Sequence, residues 1–121
     1  MIDHVTLPVS NLARSRVFYE QLFAPLKYTV CFGKKHSFWA FDIGDGLFEI
    51  TQAEEGTSVM PVHVAFRVPT KDSVQAFHAA GLAAEGKDNG KPGPRPAYTP
   101  TYYAAFILDP DGHNIEAMYD V

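Results

Sequence analysis

Apolar and polar positions alternate from Ile2 to Val9, with Val5, Leu7 and Val9 on one face and Ile2, His4 and Thr6 on the other. This predicts a half-buried strand with His4 on the face away from the core. Ser10 or Asn11 is placed to cap a helix. Leu12, Phe18, Leu22 and Phe23 then recur at helical spacing, with Arg14, Arg16, Glu20 and Gln21 outside. Pro25 is expected to end that helix, because a residue preceding proline is driven from the α region. Tyr28–Phe32 and Phe38–Phe41 read as strands separated by a Gly33-Lys34-Lys35 turn. Gly44-Asp45-Gly46 is a second turn, and Leu47–Thr51 a strand that buries Phe48 and Ile50 and turns Glu49 outward.

The pattern then starts again. Met1-Ile-Asp-His4-Val5 and Met60-Pro-Val-His63-Val64 open two similar stretches; His4 and His63 stand 59 positions apart, as do Phe18 and Phe77. Such internal repetition decides the architecture. In the second copy Val62, Val64, Phe66 and Val68 are the expected core face, with His63, Ala65 and Arg67 opposite. Thr70–Asp72 starts a helix carrying Val74, Phe77, Gly81 and Leu82. Residues 85–101, rich in glycine and proline, show no regular pattern and read as a long functional or mobile loop that blurs one strand. Tyr102–Leu108, the turn Asp109-Pro-Asp-Gly112 and Asn114–Ala117 complete the half, with Glu116 between two core residues. Each half is βαβββ, which predicts one α+β domain over 1–121 made of modules 1–57 and 58–121.

With 121 residues, 46% hydrophobic and 20% charged, the chain is long enough for a core without staples. A net charge of −4 without a basic run speaks against nucleic acid or an anionic membrane surface as partner. Cys31 is the single cysteine, which excludes an internal disulfide and a cysteine zinc cluster and suits a reducing cytoplasm. No apolar run approaches the roughly 20 residues of a membrane span, and the N-terminus lacks the build of a signal peptide.

Each module therefore supplies one histidine from its first strand and one glutamate from its last, all four on the non-core face. A histidine in a strand is most often structural and a glutamate after a turn most often solvated; repetition in register gives the joint set more weight. If the modules pair about a pseudo-twofold, His4, Glu49, His63 and Glu116 converge. Two imidazoles and two carboxylates suit a divalent transition metal such as zinc, nickel, iron or manganese. Such an ion polarises a substrate oxygen while Glu49 or Glu116 moves a proton. Arg67, on the face of His63, is a candidate for a substrate carboxylate or phosphate. Arg95 and Tyr98 lie on the long loop as candidates to close over a substrate, and Tyr103 is a candidate pocket wall with Trp39, Phe41 and Tyr102. His36, His78 and His113 are expected in solvent, and Cys31 has no partner that would activate it.

His4-Val with the helix Ser-Asn-Leu-Ala-Arg-Ser-Arg-Val-Phe-Tyr, and the ending Asp109-Pro-Asp-Gly-His-Asn-Ile-Glu116, resemble the vicinal oxygen chelate superfamily of glyoxalases, bleomycin-resistance proteins and extradiol dioxygenases. The resemblance covers the whole chain. It implies paired βαβββ modules in a curved mixed sheet cupping a metal, with His4, Glu49, His63 and Glu116 matching the four ligands of glyoxalase I-like members. Asp88-Asn-Gly-Lys-Pro-Gly-Pro-Arg-Pro with Tyr102-Tyr-Ala-Ala-Phe is similar to a branch of small bacterial members that often carry a histidine near Tyr98-Thr99-Pro100 and an aromatic residue in place of Glu49. The ligand count is thus three or four. The basic residues of a glutathione-binding glyoxalase are not recognisable. The implied function is a metal-dependent lyase or isomerase acting on a small oxygenated substrate, as a cytoplasmic homodimer. The alternatives are a metal-free binder of the bleomycin-resistance type and an iron(II) extradiol-type dioxygenase built on His4, His63 and Glu116.

Overall fold

The computed structural model describes residues 1–121. In chain order it contains β1 (His4–Val9), α1 (Leu12–Phe23), β2 (Thr29–Lys34), β3 (Phe38–Asp42), β4 (Leu47–Gln52), β5 (His63–Arg67), α2 (Lys71–Ala83), β6 (Lys87–Pro94), β7 (Tyr103–Leu108) and β8 (Asn114–Tyr119). This is βαβββ twice, in an α+β fold. Each module forms its own four-stranded mixed sheet, in the orders β1-β4-β3-β2 and β5-β8-β7-β6. In each, the first strand runs parallel to the last and the other pairs are antiparallel. No strand-to-strand ladder joins the two sheets, so β1 and β5 are both edge strands.

Capping sets where the helices begin. The Asn11 side chain accepts the Arg14 amide at 3.0 Å, and Thr70 Oγ1 accepts the Ser73 amide at 3.0 Å, satisfying donors that a helix start leaves unpaired. Pro25 does not halt the helical path outright: α1 ends at Phe23 and tightens into a 3-10 turn, Ala24–Leu26. Proline is tolerated there because it occupies the first turn, where its missing N–H is not needed. Lys27, at φ 61°, closes that turn.

Leu7, Val9, Leu12, Phe18, Leu22, Phe23, Phe48 and Ile50 are buried in one cluster with Phe66, Val68, Val74 and Phe77. The cluster spans both modules. Phe66 of β5 meets Phe23 at 5.3 Å and Phe48 at 5.5 Å between ring centroids, in edge-on contacts that aromatic rings favour. The modules thus share a core on the helix side of both sheets. The opposite faces turn away from it.

Several local expectations change. Gly33 and Lys34 belong to β2, and the turn starts after them; Trp39 lies so close over Gly33 that an added Cβ would sit 2.3 Å from its ring. Val62 and Leu82 are exposed rather than core. The long loop holds β6, which side-chain periodicity does not mark because glycines and prolines fill it; its pairing to β7, with two register shifts, defines it instead. His78 and His113 are buried, not solvated. His78 Nε2 meets Asp88 at 2.9 Å, and this bond, with that of the Gly90 amide, holds the Asp88 carboxyl below its ordinary pKa. His113 accepts the Val62 amide on Nδ1 at 3.0 Å and donates from Nε2 to the Pro8 carbonyl at 2.8 Å, which ties the second module to the first. No helix is long and apolar enough to cross a membrane.

Candidate functional site

The parallel ladders place the repeated residues alike. His4 faces Leu47 and Thr6 faces Glu49; His63 faces Asn114 and Ala65 faces Glu116. In both modules the glutamate is therefore the diagonal neighbour of the histidine, on the face turned from the core.

In the second module that neighbourhood is a direct contact. His63 Nε2 lies 2.8 Å from Glu116 Oε1, and the Tyr102 hydroxyl donates to Glu116 Oε2 at 2.5 Å. Glu116 is 2% exposed, whereas the His63 side chain is 52% exposed. A buried carboxylate is costly unless hydrogen-bonded, and these two donors meet that need. Burial, followed by the bond to Glu116, raises the Tyr102 pKa well above the ordinary phenol range, so the hydroxyl keeps its proton and remains a donor.

The first module is more open. Glu49 Oε1 accepts the Thr6 hydroxyl at 3.0 Å, and His4 Nδ1 meets Asp3 at 2.8 Å. The Asp3 bond, then the charge of Glu49, raises the His4 pKa. His4 Nε2 and Glu49 Oε2 have no partner within the chain.

His4 stands near Glu49, and His63 touches Glu116, but the two pairs do not meet. No three His, Cys, Asp or Glu side chains of one chain converge as a metal site. Two surface clefts of the single chain, one at Arg14, Gln21 and Lys87 and one at Arg16, Lys35 and Trp39, contain none of the four. Each pair is by donor type half of a nitrogen-and-oxygen set suited to a divalent transition metal.

The surrounding candidates are placed unevenly. Arg67 lies on the His63 face and donates to the Asp120 carbonyl at 3.1 Å. Arg95 donates to the Lys91 and Pro94 carbonyls, with its guanidinium 5.5 Å from the Phe106 ring centre, and Phe106 lies 6.0 Å from His63. Tyr98 is exposed and packs edge-on against Tyr102 at 5.0 Å. Tyr103 faces the other way: its hydroxyl accepts from Gln75 of α2 at 2.9 Å, and Lys71 lies over its ring. Tyr102, not Tyr103, reaches Glu116. The hairpin after β7 contained the signal, because Phe106 pairs with Glu116 and even-numbered positions before it share that face.

Comparison with known proteins bears on the family and the fold. The family model described as Glyoxalase/Bleomycin resistance protein/Dioxygenase superfamily matches residues 1–117. No curated protein sequence matches the chain. Among solved structures, a glyoxalase/bleomycin resistance protein from Albidiferax ferrireducens is 30% identical, with TM-score 0.88 and 98% of each chain covered. A glyoxalase-related enzyme from Fulvimarina pelagi is 18% identical, with TM-score 0.79, covering 99% of this chain and 88% of that one. Lactoylglutathione lyase from Agrobacterium tumefaciens is 18% identical, with TM-score 0.75, covering 98% and 92%. At that identity the latter two show the shared fold. With its repeated βαβββ modules and a family match over nearly its full length, the chain belongs to the glyoxalase/bleomycin resistance protein/dioxygenase superfamily.

Proposed function

We propose that the protein is a metal-dependent enzyme of the lyase or isomerase type acting on a small oxygenated substrate, with each site completed by a second copy of the chain. The observation that carries this reading is the pair of half-sites, His4 with Glu49 and His63 with Glu116, equivalent in register yet separate within one chain. Strands β1 and β5 are unpaired edges, and Ile2, Met60 and Val62 are exposed beside them. Edge strands of this kind are templates for pairing with another chain. Docking β1 against β5 of a second copy would bring one pair of each kind together.

His4, Glu49, His63 and Glu116 would then hold a divalent zinc, nickel, iron or manganese ion. Once bound, the ion supplies Lewis-acid stabilisation of negative charge on substrate oxygens. Glu49, with a free Oε2, is the better placed of the two glutamates to move a proton, because both oxygens of Glu116 are engaged. Arg95 and Arg67 would hold an acidic group of the substrate, and the exposed Tyr98 would cover it.

A metal-free binding protein is the second reading, favoured by one observation: the His63–Glu116–Tyr102 network is complete without a metal. For an iron dioxygenase, His4, His63 and Glu116 make a two-histidine, one-carboxylate set; Glu49 as a fourth donor weighs against it.

The test is metal content and oligomeric mass of the purified protein beside His4→Ala and His63→Ala. Stoichiometric metal in a wild-type dimer, lost in both variants, supports the enzyme. Remixing the two variants should restore about a quarter of the metal, since about half of the re-formed dimers are mixed and one of the two sites in each regains both histidines. No metal after reconstitution with zinc, nickel, iron and manganese overturns the reading in favour of a binding pocket.

A further inference from the structure

We infer that Tyr102 is a positioning residue that commits one oxygen of Glu116 to the protein and leaves the other to the site. In its dependence on a bound metal, this rests on the reading above.

The two carboxylates of the candidate set differ. Glu49 is held on one side by the Thr6 hydroxyl at 3.0 Å. Glu116 is held on Oε2 by a 2.5 Å phenolic hydrogen bond and is fully buried. A phenol donating to a carboxylate makes a charge-assisted bond, among the stronger kinds in proteins. With Oε2 taken, only Oε1 remains, and it already points at His63 Nε2. The donor atoms that the second module offers are therefore one nitrogen and one oxygen, 2.8 Å apart, in a fixed orientation.

The hydroxyl is itself held in place. Thr99 and Thr101, on the loop leading into Tyr102, both donate to the Asp120 carboxylate, which follows the strand bearing Glu116. The Arg95 amide donates to the Tyr102 carbonyl at 2.8 Å, and Tyr98 packs against the ring. The loop and β8 are thus clasped at Asp120, with Tyr102 and Glu116 facing each other. The first module has no counterpart to this clasp. Partners that orient a ligand typically change metal affinity by about 10–100-fold when removed.

The experiment uses the full-length protein with cobalt(II) as probe, in wild type, Tyr102→Phe and Tyr103→Phe. Both variants lose one phenolic oxygen from neighbouring positions, but only one faces Glu116. Tyr102→Phe should weaken cobalt binding by about 10–100-fold and shift the visible d–d bands, as the freed carboxylate changes its binding mode. Tyr103→Phe should leave affinity and spectrum as in the wild type. Wild-type affinity and spectrum in Tyr102→Phe overturn the inference and leave the proposed function standing. A weakening that Tyr103→Phe shares, or one with an unchanged spectrum, also overturns it, since general destabilisation would then suffice. If wild-type dimer binds no cobalt, both readings fall.

Discussion

Tyr19 of α1 donates its hydroxyl to Asp109 Oδ2 at 2.6 Å, across 90 residues of sequence and inside the core shared by the two modules. The other oxygen of Asp109 accepts the amides of Asp111 and His113, so one carboxylate both shapes the turn before β8 and fastens the second module to the helix of the first. Tyr19→Phe leaves that oxygen without its partner. We expect a loss of about 1–3 kcal/mol by urea unfolding; a stability equal to wild type would show that the bond adds nothing beyond packing.

The same tyrosine gives an alkaline signature. Burial, then the nearby Asp109 charge, raises its pKa well above the ordinary phenol value. The unfolded chain therefore gives up this proton first as pH rises, and the folded state must hold it. Its contribution to stability is full below about pH 10 and falls above it. Tyr28 and Tyr102 act in the same direction, Tyr28 through burial. Tyr19→Phe should flatten the fall in unfolding free energy between pH 9 and 11, with roughly those limits set by the free phenol value. An unchanged slope would assign it to the other two.

His113 joins the Val62 amide to the Pro8 carbonyl from a fully buried position. Each of the two part-buried backbone groups left without its partner costs up to about 1–3 kcal/mol, so His113→Ala, with its lost packing, should cost on the order of 4 kcal/mol. The bonds also set the beginning of β5, which carries His63. Hydrogen exchange at the Val62 and Asn114 amides should accelerate in this variant, and protection equal to wild type would argue that β5 is anchored elsewhere.

Gly81 tests two opposing effects. Replacing a helical glycine by alanine ordinarily gains about 1 kcal/mol of helix propensity. Here the new Cβ would lie 2.8 Å from Ile107 Cγ1 and 3.1 Å from its Cγ2, and Ile107 is fully buried. Overpacking of a core costs about 1–3 kcal/mol. Gly81→Ala should therefore lower the melting temperature; a rise would mean that the Ile107 side chain relaxes.

Asp120 titrates below its ordinary value, chiefly because Thr101 donates to it, with Thr99 and the Val121 amide adding to the effect. A lowered folded pKa contributes stability above the unfolded value, near pH 4, and loses it as pH falls through the folded value. In Thr101→Val the Asp120 carboxyl should titrate closer to its ordinary range, followed by carbon NMR of that group. A midpoint unmoved by the substitution would remove Thr101 as its cause.

The repeat, the strand that carries each histidine, the outward parity of Glu49 and the start of both helices were legible from local pattern, because two- and 3.6-residue periodicities record which side of an element meets a core. Side-chain parity in β8 likewise exposed Glu116 as the odd polar residue between Ile115 and Ala117. Pattern failed where pairing, not burial, defines an element. Strand β6 is glycine and proline held by hydrogen bonds to β7, and the choice between Tyr102 and Tyr103 follows from register across a hairpin. It failed again for His78 and His113, whose polar rings are buried because partners 10 to 105 positions away satisfy them. Above all, sequence symmetry says that the two modules match, not how they are set against each other. In the structure their helix-side faces close on one apolar core through Phe23, Phe48 and Phe66, and that packing turns the two histidine–glutamate pairs away from the core as separate halves.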